Sequence, residues 1–246
     1  MDRQKLRYLR LIAPIVLVGG GLILAFTTVI LSSQRLGDLS LNIATELVGA
    51  GIAYGLFELV IRLAEKRMEE EEGREARKKD LIRKMGSGVK DTACSAAEDL
   101  REEGWLTDGS LRGAALYNAN LEGAYLWEAY LQGAHLGAAN LRRAVVMDAN
   151  LRGVILQHAD LQGSTLRESD LDRANLVGAN LQGAILEGAS LKRADLSEAN
   201  LRGADVTTEQ LAQAESLKGA ILPDGTKLSP DAWSAEFEGW RKTQEE

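Results

Sequence analysis

Cysteine is almost missing from this chain: Cys94 is the only one in 246 residues. A disulfide framework is therefore excluded, and the usage agrees with a reducing compartment. Histidine is nearly as scarce. His135 and His158 are the two present, and their spacing makes no metal site. Aromatic residues are 5% of the sequence, and none falls at a core position of the pattern that follows. No phosphate loop and no nucleophile–base set occurs. These absences leave no catalytic, metal-ligating or cofactor-binding residue to assign, and no cofactor is expected.

What is present is a rhythm. From Leu111 to Val206 an apolar residue recurs every five positions for twenty frames, and eighteen of them carry leucine. Two places earlier stands alanine in sixteen of the twenty, with Gly109, Val154, Ser164 and Ser169 as the exceptions. A period of five fits neither a helix stripe nor a strand alternation. It requires a chain that advances and turns once per repeat, which is a solenoid, and solenoids point to binding or structural roles rather than to catalysis.

The stretch from Ala119 to Ala129 resembles the pentapeptide-repeat family, whose tandem unit is A-[DN]-L-x-x. The resemblance implies an all-β solenoid, a right-handed quadrilateral β-helix with four repeats per coil. Leu and the Ala two before it would point inward and the other residues outward. Twenty frames then give five coils, a rod of roughly 24 Å at the usual strand spacing of ~4.8 Å. Asn120, Asn140, Asp160, Asn180 and Asn200 recur every twenty residues, so they should stack in one column as a polar ladder. His135 would face outward and His158 would sit at a corner. The second residue after the core position is Gly at 113, 123, 133, 153, 163, 183 and 203, with Arg143, Arg173 and Arg193 completing that series of every tenth residue. Glycine at alternate corners predicts type II turns there, where positive φ is needed, and the three arginines break the pattern.

Ahead of the repeats, residues 1–10 form a basic N-terminus and residues 11–31 an uncharged run long enough to span the roughly 30 Å hydrocarbon layer as a helix. A signal peptide would have a shorter apolar region and a small-residue cleavage site, which Ser32-Ser33-Gln34-Arg35 does not supply. A loop at 32–42 leads to a second apolar stretch, 43–63, interrupted by Glu46, Glu58 and Arg62. Glu58 and Arg62 stand at the i,i+4 spacing of an ion pair. Glu46 and Glu58 lie close enough to the ends to reach headgroups, so an ion or proton role for them is the weaker reading. Gly51 and Gly55 suit close helix packing. Basic flanks before the first span and after the second predict a transmembrane hairpin in a bacterial-type cytoplasmic membrane, with both termini and the repeats cytoplasmic.

Residues 64–86 read as a charged helical stalk. Residues 87–106 read as a helical cap over the first coil, with Val89, Ala93, Cys94, Ala97 and Leu100 on its apolar face. The repeats occupy 107–206. Residues 207–246 form a C-terminal cap and tail, with Trp233, Phe237 and Trp240 facing the last coil.

One face of the expected rod gathers Tyr125, Trp127, Val145 and Met147 on its first two coils. If exposed, this is a candidate protein-binding patch; the alternative is that the stalk or cap covers it. The expected function is a non-enzymatic, membrane-anchored interaction scaffold. Its expected partners are the lipid bilayer and an unidentified protein, without nucleic acid; homo-oligomerisation stays open. The resemblance also implies an alternative, a DNA-mimicking protein that engages DNA gyrase. Between residues 111 and 206, however, nine basic residues nearly balance eleven acidic ones. A third reading, a small channel or transport accessory, rests only on Glu46, Glu58 and the glycines.

Overall fold

The computed structural model describes residues 39–244. They fall into two compact units divided between Gly73 and Arg74. Helix α1, Leu39–Met85, contributes to both.

In the first unit, Ile52, Tyr54, Leu56, Leu59 and Leu63 are all exposed. A Cβ added at Gly51 or Gly55 would meet nothing within 4 Å, so the small-residue face has no described neighbour. Glu58 and Arg62 form the expected pair at 2.6 Å. The described residues do not support the expected transmembrane hairpin. Its first span, 11–31, lies outside the described residues. Its second is helical, but no described helix is long and apolar enough to cross a membrane.

The second unit is a solenoid with a coil of twenty residues. Parallel bridges join each outward residue to the one twenty positions on, as in Asn120 to Asn140 and Tyr125 to Val145. No long strand forms along the repeats, because two of every five residues are spent on a corner and one residue per face is left to bridge. The expected all-β solenoid is thus built from stacked single bridges. All eighteen repeat leucines and all sixteen paired alanines are buried, with Val154, Ser164 and Ser169 filling three of the alanine positions.

Backbone hydrogen bonding explains the repeat unit. Around Leu161, the Asp160 N–H donates to Ala139 O at 2.9 Å in the preceding coil. The Leu161 and Gly163 N–H groups donate to Asn180 O at 2.8 Å and Gln182 O at 2.9 Å in the next coil. The Ser164 N–H closes the corner on Leu161 O at 3.0 Å. One donor of the five remains, on Gln162, and the Asp160 side chain accepts it at 3.1 Å. Asn or Asp before the leucine accepts the corresponding N–H at 120, 140, 150, 170, 175, 180, 195 and 200 as well. A buried or half-buried N–H left unpaired is costly, so the Asx side chain completes the accounting. The column of Asn120, Asn140, Asp160, Asn180 and Asn200 also bonds sideways, at 3.1 Å between Asn140 and Asn120 and 3.0 Å between Asn180 and Asp160. Asp160, whose side chain has no N–H to offer Asn140, interrupts this ladder and pairs with Arg142 at 3.2 Å instead.

Corners depart from the alternating pattern read from glycine. Positive φ occurs at every corner from 113 to 203, and ten of those residues are not glycine, including Arg143, Arg173 and Arg193. The left-handed third residue, with the closing bond made at nearly every corner, agrees with type II turns. Gly178 and Gly188 break the non-glycine series for a packing reason. A Cβ at Gly178 would lie 2.8 Å from His158 Cε1, and one at Gly188 would lie 2.7 Å from Glu168 Oε2. Those side chains lean onto the next coil and occupy the space.

Both ends are closed. At the start, helix α2, Lys90–Glu102, buries Ala93, Ala96, Ala97 and Leu100 beside Leu81 and Met85. Val89 precedes the helix and is exposed. Ser87 O accepts the Asn120 N–H at 2.8 Å and Leu106 O accepts the Tyr130 N–H at 2.7 Å, replacing the missing earlier coil. At the far end, helix α3, Thr208–Leu211, opens on a capping box between Thr207 and Gln210. It displaces the register by one residue, so Asp195 bridges Ser216 and Asn200 bridges Ile221. Leu211, Leu217 and Leu222 continue the buried column. An antiparallel bridge from Ile221 to Lys227 turns the chain back, and helix α4, Trp233–Gln244, buries Phe237 and Trp240. An edge that would otherwise recruit strands is covered at each end.

Candidate protein-interaction surface

Twenty-residue stacking brings the four predicted patch residues onto one face. Tyr125 bridges Val145, and the Glu128 N–H donates to Met147 O at 2.9 Å, which sets Trp127 above Met147. Tyr125 and Trp127 are 59% and 54% exposed, while Val145 and Met147 are half-buried. Trp127 Nε1 donates to Asp148 Oδ2 at 3.0 Å, which fixes the indole against the corner below it. Arg101 of α2 places its guanidinium 5.8 Å from the Tyr125 ring centroid. The cap reaches the edge of the patch and leaves both rings open. Exposed aromatics held by the backbone ladder and a hydrogen bond lose little conformational freedom on binding, which suits an anchor residue.

Tyr117, two faces earlier in the first coil, is 64% exposed and lies outside the predicted patch. Its ring lies over Gly137, where a Cβ would come within 3.1 Å of Cδ2. Gly137 directly follows core Leu136, a place where the corner needs no glycine. A glycine at that position was the available signal for an aromatic folded over the neighbouring coil.

No group of three or more His, Cys, Asp or Glu able to hold a metal ion occurs among the described residues. His135 lies on a face, bridged to Ala115 and Ile155, and His158 lies at a corner over Gly178. Burial pushes the Cys94 thiol above its ordinary pKa, which keeps it protonated and unreactive. Glu58 is engaged by Arg62, and the Glu46 side chain lies outside the described set. Asp224 is a structural carboxylate. Burial would raise its pKa, but bonds from the Thr226 N–H, the Trp240 indole and the Thr226 hydroxyl outweigh that and hold it below the usual range.

The geometry defines a class: a capped quadrilateral solenoid with a five-residue repeat and a surface written by its outward positions. The family model described as pentapeptide repeats matches residues 110–146, 146–183 and 174–208. Among solved structures, a pentapeptide repeat protein from Nostoc is 33% identical over 43% of this chain and 78% of its own, with a TM-score of 0.35. Another, from the Arabidopsis thaliana thylakoid lumen, is 26% identical over 52% of this chain and 92% of its own, with a TM-score of 0.40. QnrB1, a plasmid-mediated fluoroquinolone resistance protein, is 18% identical over 54% of this chain and 84% of its own, with a TM-score of 0.28. No curated protein matches. The chain belongs to the pentapeptide-repeat family.

Proposed function

We propose that this chain is a non-enzymatic interaction scaffold whose rod presents Tyr125, Trp127, Val145 and Met147 to a protein partner. The observation that carries the reading is the pair of exposed rings on a rigid face, which few monomeric surfaces leave uncovered without a use. We further propose that its N-terminal part attaches it to the cytoplasmic membrane, with the rod on the cytoplasmic side. Support comes from the uncharged run 11–31 and from the exposed apolar side chains of α1 between Ile52 and Leu63, which need lipid or another helix against them.

The reading as a DNA mimic draws no support from the charge pattern. Arg152 pairs with Asp170 and Asp172, and Arg167 with Glu187, so bases are interleaved with acids along the rod. Of the two carboxylates on which the channel reading rests, Glu58 is paired with Arg62 and so gives it no support.

The test compares full-length parent and Trp127→Glu in native membranes. Both should stay in the pellet after alkaline carbonate extraction, and mild cross-linking should yield a defined adduct from the parent that is missing from the folded variant. Release of the parent by carbonate would refute the anchor. Identical adducts from both proteins would refute the patch.

A further inference from the structure

Where the face carrying the Asn140, Asp160 and Asn180 column meets the face carrying Val145, Thr165 and Ile185, the stacked corners form an open groove of about 440 Å³. Arg142 and Arg143 line its upper end and Arg202 its lower end, with Gln162 and Gln182 between them. The floor is the glycine corners at 163, 183 and 203. A Cβ at Gly183 or Gly203 would meet nothing within 4 Å, so a ligand backbone can approach the main chain closely there.

The arginines differ in how they are used. Arg142 is taken by Asp160 at 3.2 Å. Among the described residues, Arg143 and Arg202 have no ion-pair partner. Arg143 lies over the next corner, with Cγ 3.8 Å from a Cβ at Gly163. Arg202 leans the same way, its Nε and Nη2 each 3.2 Å from a Cβ at Gly225. Because both lean one coil along the rod, their three-coil separation is kept, about 14 Å at ~4.8 Å per coil. Asp224, next to Gly225, is already held by Trp240 and Thr226.

We infer that this groove binds an extended acidic peptide segment lying along the rod, with two carboxylates four residues apart. A strand advances about 3.4 Å per residue, so four residues cover about 14 Å, the separation of Arg143 and Arg202. Side chains four apart in a strand point to the same side, so both carboxylates face the groove. The residue midway between them meets Gln162 and Gln182, whose amides both donate and accept. Guanidinium forks match carboxylates in a bidentate manner. The groove has no aromatic side chain for a base to stack on, which disfavours single-stranded nucleic acid. This site is separate from the Tyr125 and Trp127 patch and does not depend on it.

The test is fluorescence anisotropy of full-length protein in detergent with two labelled five-residue peptides of equal charge. One carries glutamates at positions one and five, the other at positions one and four. The first should bind at least tenfold more tightly, with affinity falling as salt is raised. Combined Arg143→Glu and Arg202→Glu should abolish this preference, while Arg152→Glu on another face leaves it intact and thermal melts show both variants folded. Equal binding of the two peptides, unchanged binding by the double variant, or displacement by inorganic phosphate at the peptide's own concentration would each overturn the inference.

Discussion

Ser164 and Ser169 occupy equivalent inward positions in consecutive repeats, where alanine is the rule, and both are fully buried. They differ in one respect. Ser169 Oγ donates to Leu166 O at 2.6 Å, whereas Ser164 Oγ has no partner. A buried hydroxyl without a partner costs about 1–3 kcal/mol, while a made bond contributes about 1 kcal/mol net. Ser164→Ala removes the unpaired group and restores the repeat's own residue. The small volume lost offsets this by up to about 1 kcal/mol, which leaves a net stabilisation near 1 kcal/mol. Ser169→Ala removes a made bond and should cost about 1 kcal/mol. Leu166 O is not orphaned by that change, because it also accepts the Ser169 N–H at 3.2 Å. The two variants should therefore separate by about 2 kcal/mol, or roughly 4–8 °C in melting midpoint for a chain of this size. Thermal melts followed by circular dichroism, with denaturant midpoints as a second measure, read this directly. Equal destabilisation by both substitutions would refute the reasoning.

Three further outcomes follow from the corners and the C-terminal cap. Ala138 holds φ at 53°, a strain of about 1–2 kcal/mol for a residue with a Cβ. Ala138→Gly should relieve it and, after the extra freedom gained by the unfolded chain, raise stability by about 0.5–1 kcal/mol in denaturant melts. Gly183→Ala is the converse: φ is +64° with open space around the added carbon, so melts should show a loss of about 1 kcal/mol from backbone strain alone. The folded-state pKa values of Asp224 and Glu236 are depressed, Asp224 by the bonds described and Glu236 by the Ser229 N–H and hydroxyl. Their stabilisation is present above the ordinary carboxylate pKa and is lost as pH falls through the lowered folded values. The indole N–H resonance of Trp240, bonded to Asp224 at 2.8 Å, should therefore shift and broaden only below about pH 4. Broadening that begins near neutrality would contradict the assignment.

Much of the rod was legible because its period is written in the core residues. Leucine every five positions with alanine two before is a volume constraint, and it locates the interior without reference to turns. The patch was legible for the same reason: a coil of twenty residues places Tyr125 beside Val145 by arithmetic. The corners were not. Glycine alternation pointed to positive φ at every second corner, yet Arg143, Glu128 and Ala138 adopt it too. The inter-coil ladder fixes the backbone there and outweighs about 1–2 kcal/mol of local strain. The Asn and Asp residues read as a stacked column; their larger task, accepting the fifth N–H of the repeats that carry them, shows only once the other four donors are traced. Past Val206, one inserted residue shifted Leu217 and Leu222 out of a strict count of five, so the final partial coil was hidden. Tyr117 stayed hidden because its signal, a glycine at 137 where the corner needs none, lies one coil away from the ring it serves. In the first unit, the helix expected over 43–63 is present, with the Glu58–Arg62 pair that the i,i+4 spacing predicts.

Every placement on the surface rests on the twenty-residue register, and cysteine cross-linking measures it. Thr165 and Ile185 are bridged partners, a separation suited to a disulfide when both are cysteine. In a Cys94→Ser background, Thr165→Cys with Ile185→Cys should oxidise to an intramolecular disulfide under mild conditions. Thr165→Cys with Ser190→Cys, one face further round, should stay reduced. Oxidation of the second pair in preference to the first would contradict the coil on which the patch and the groove both depend.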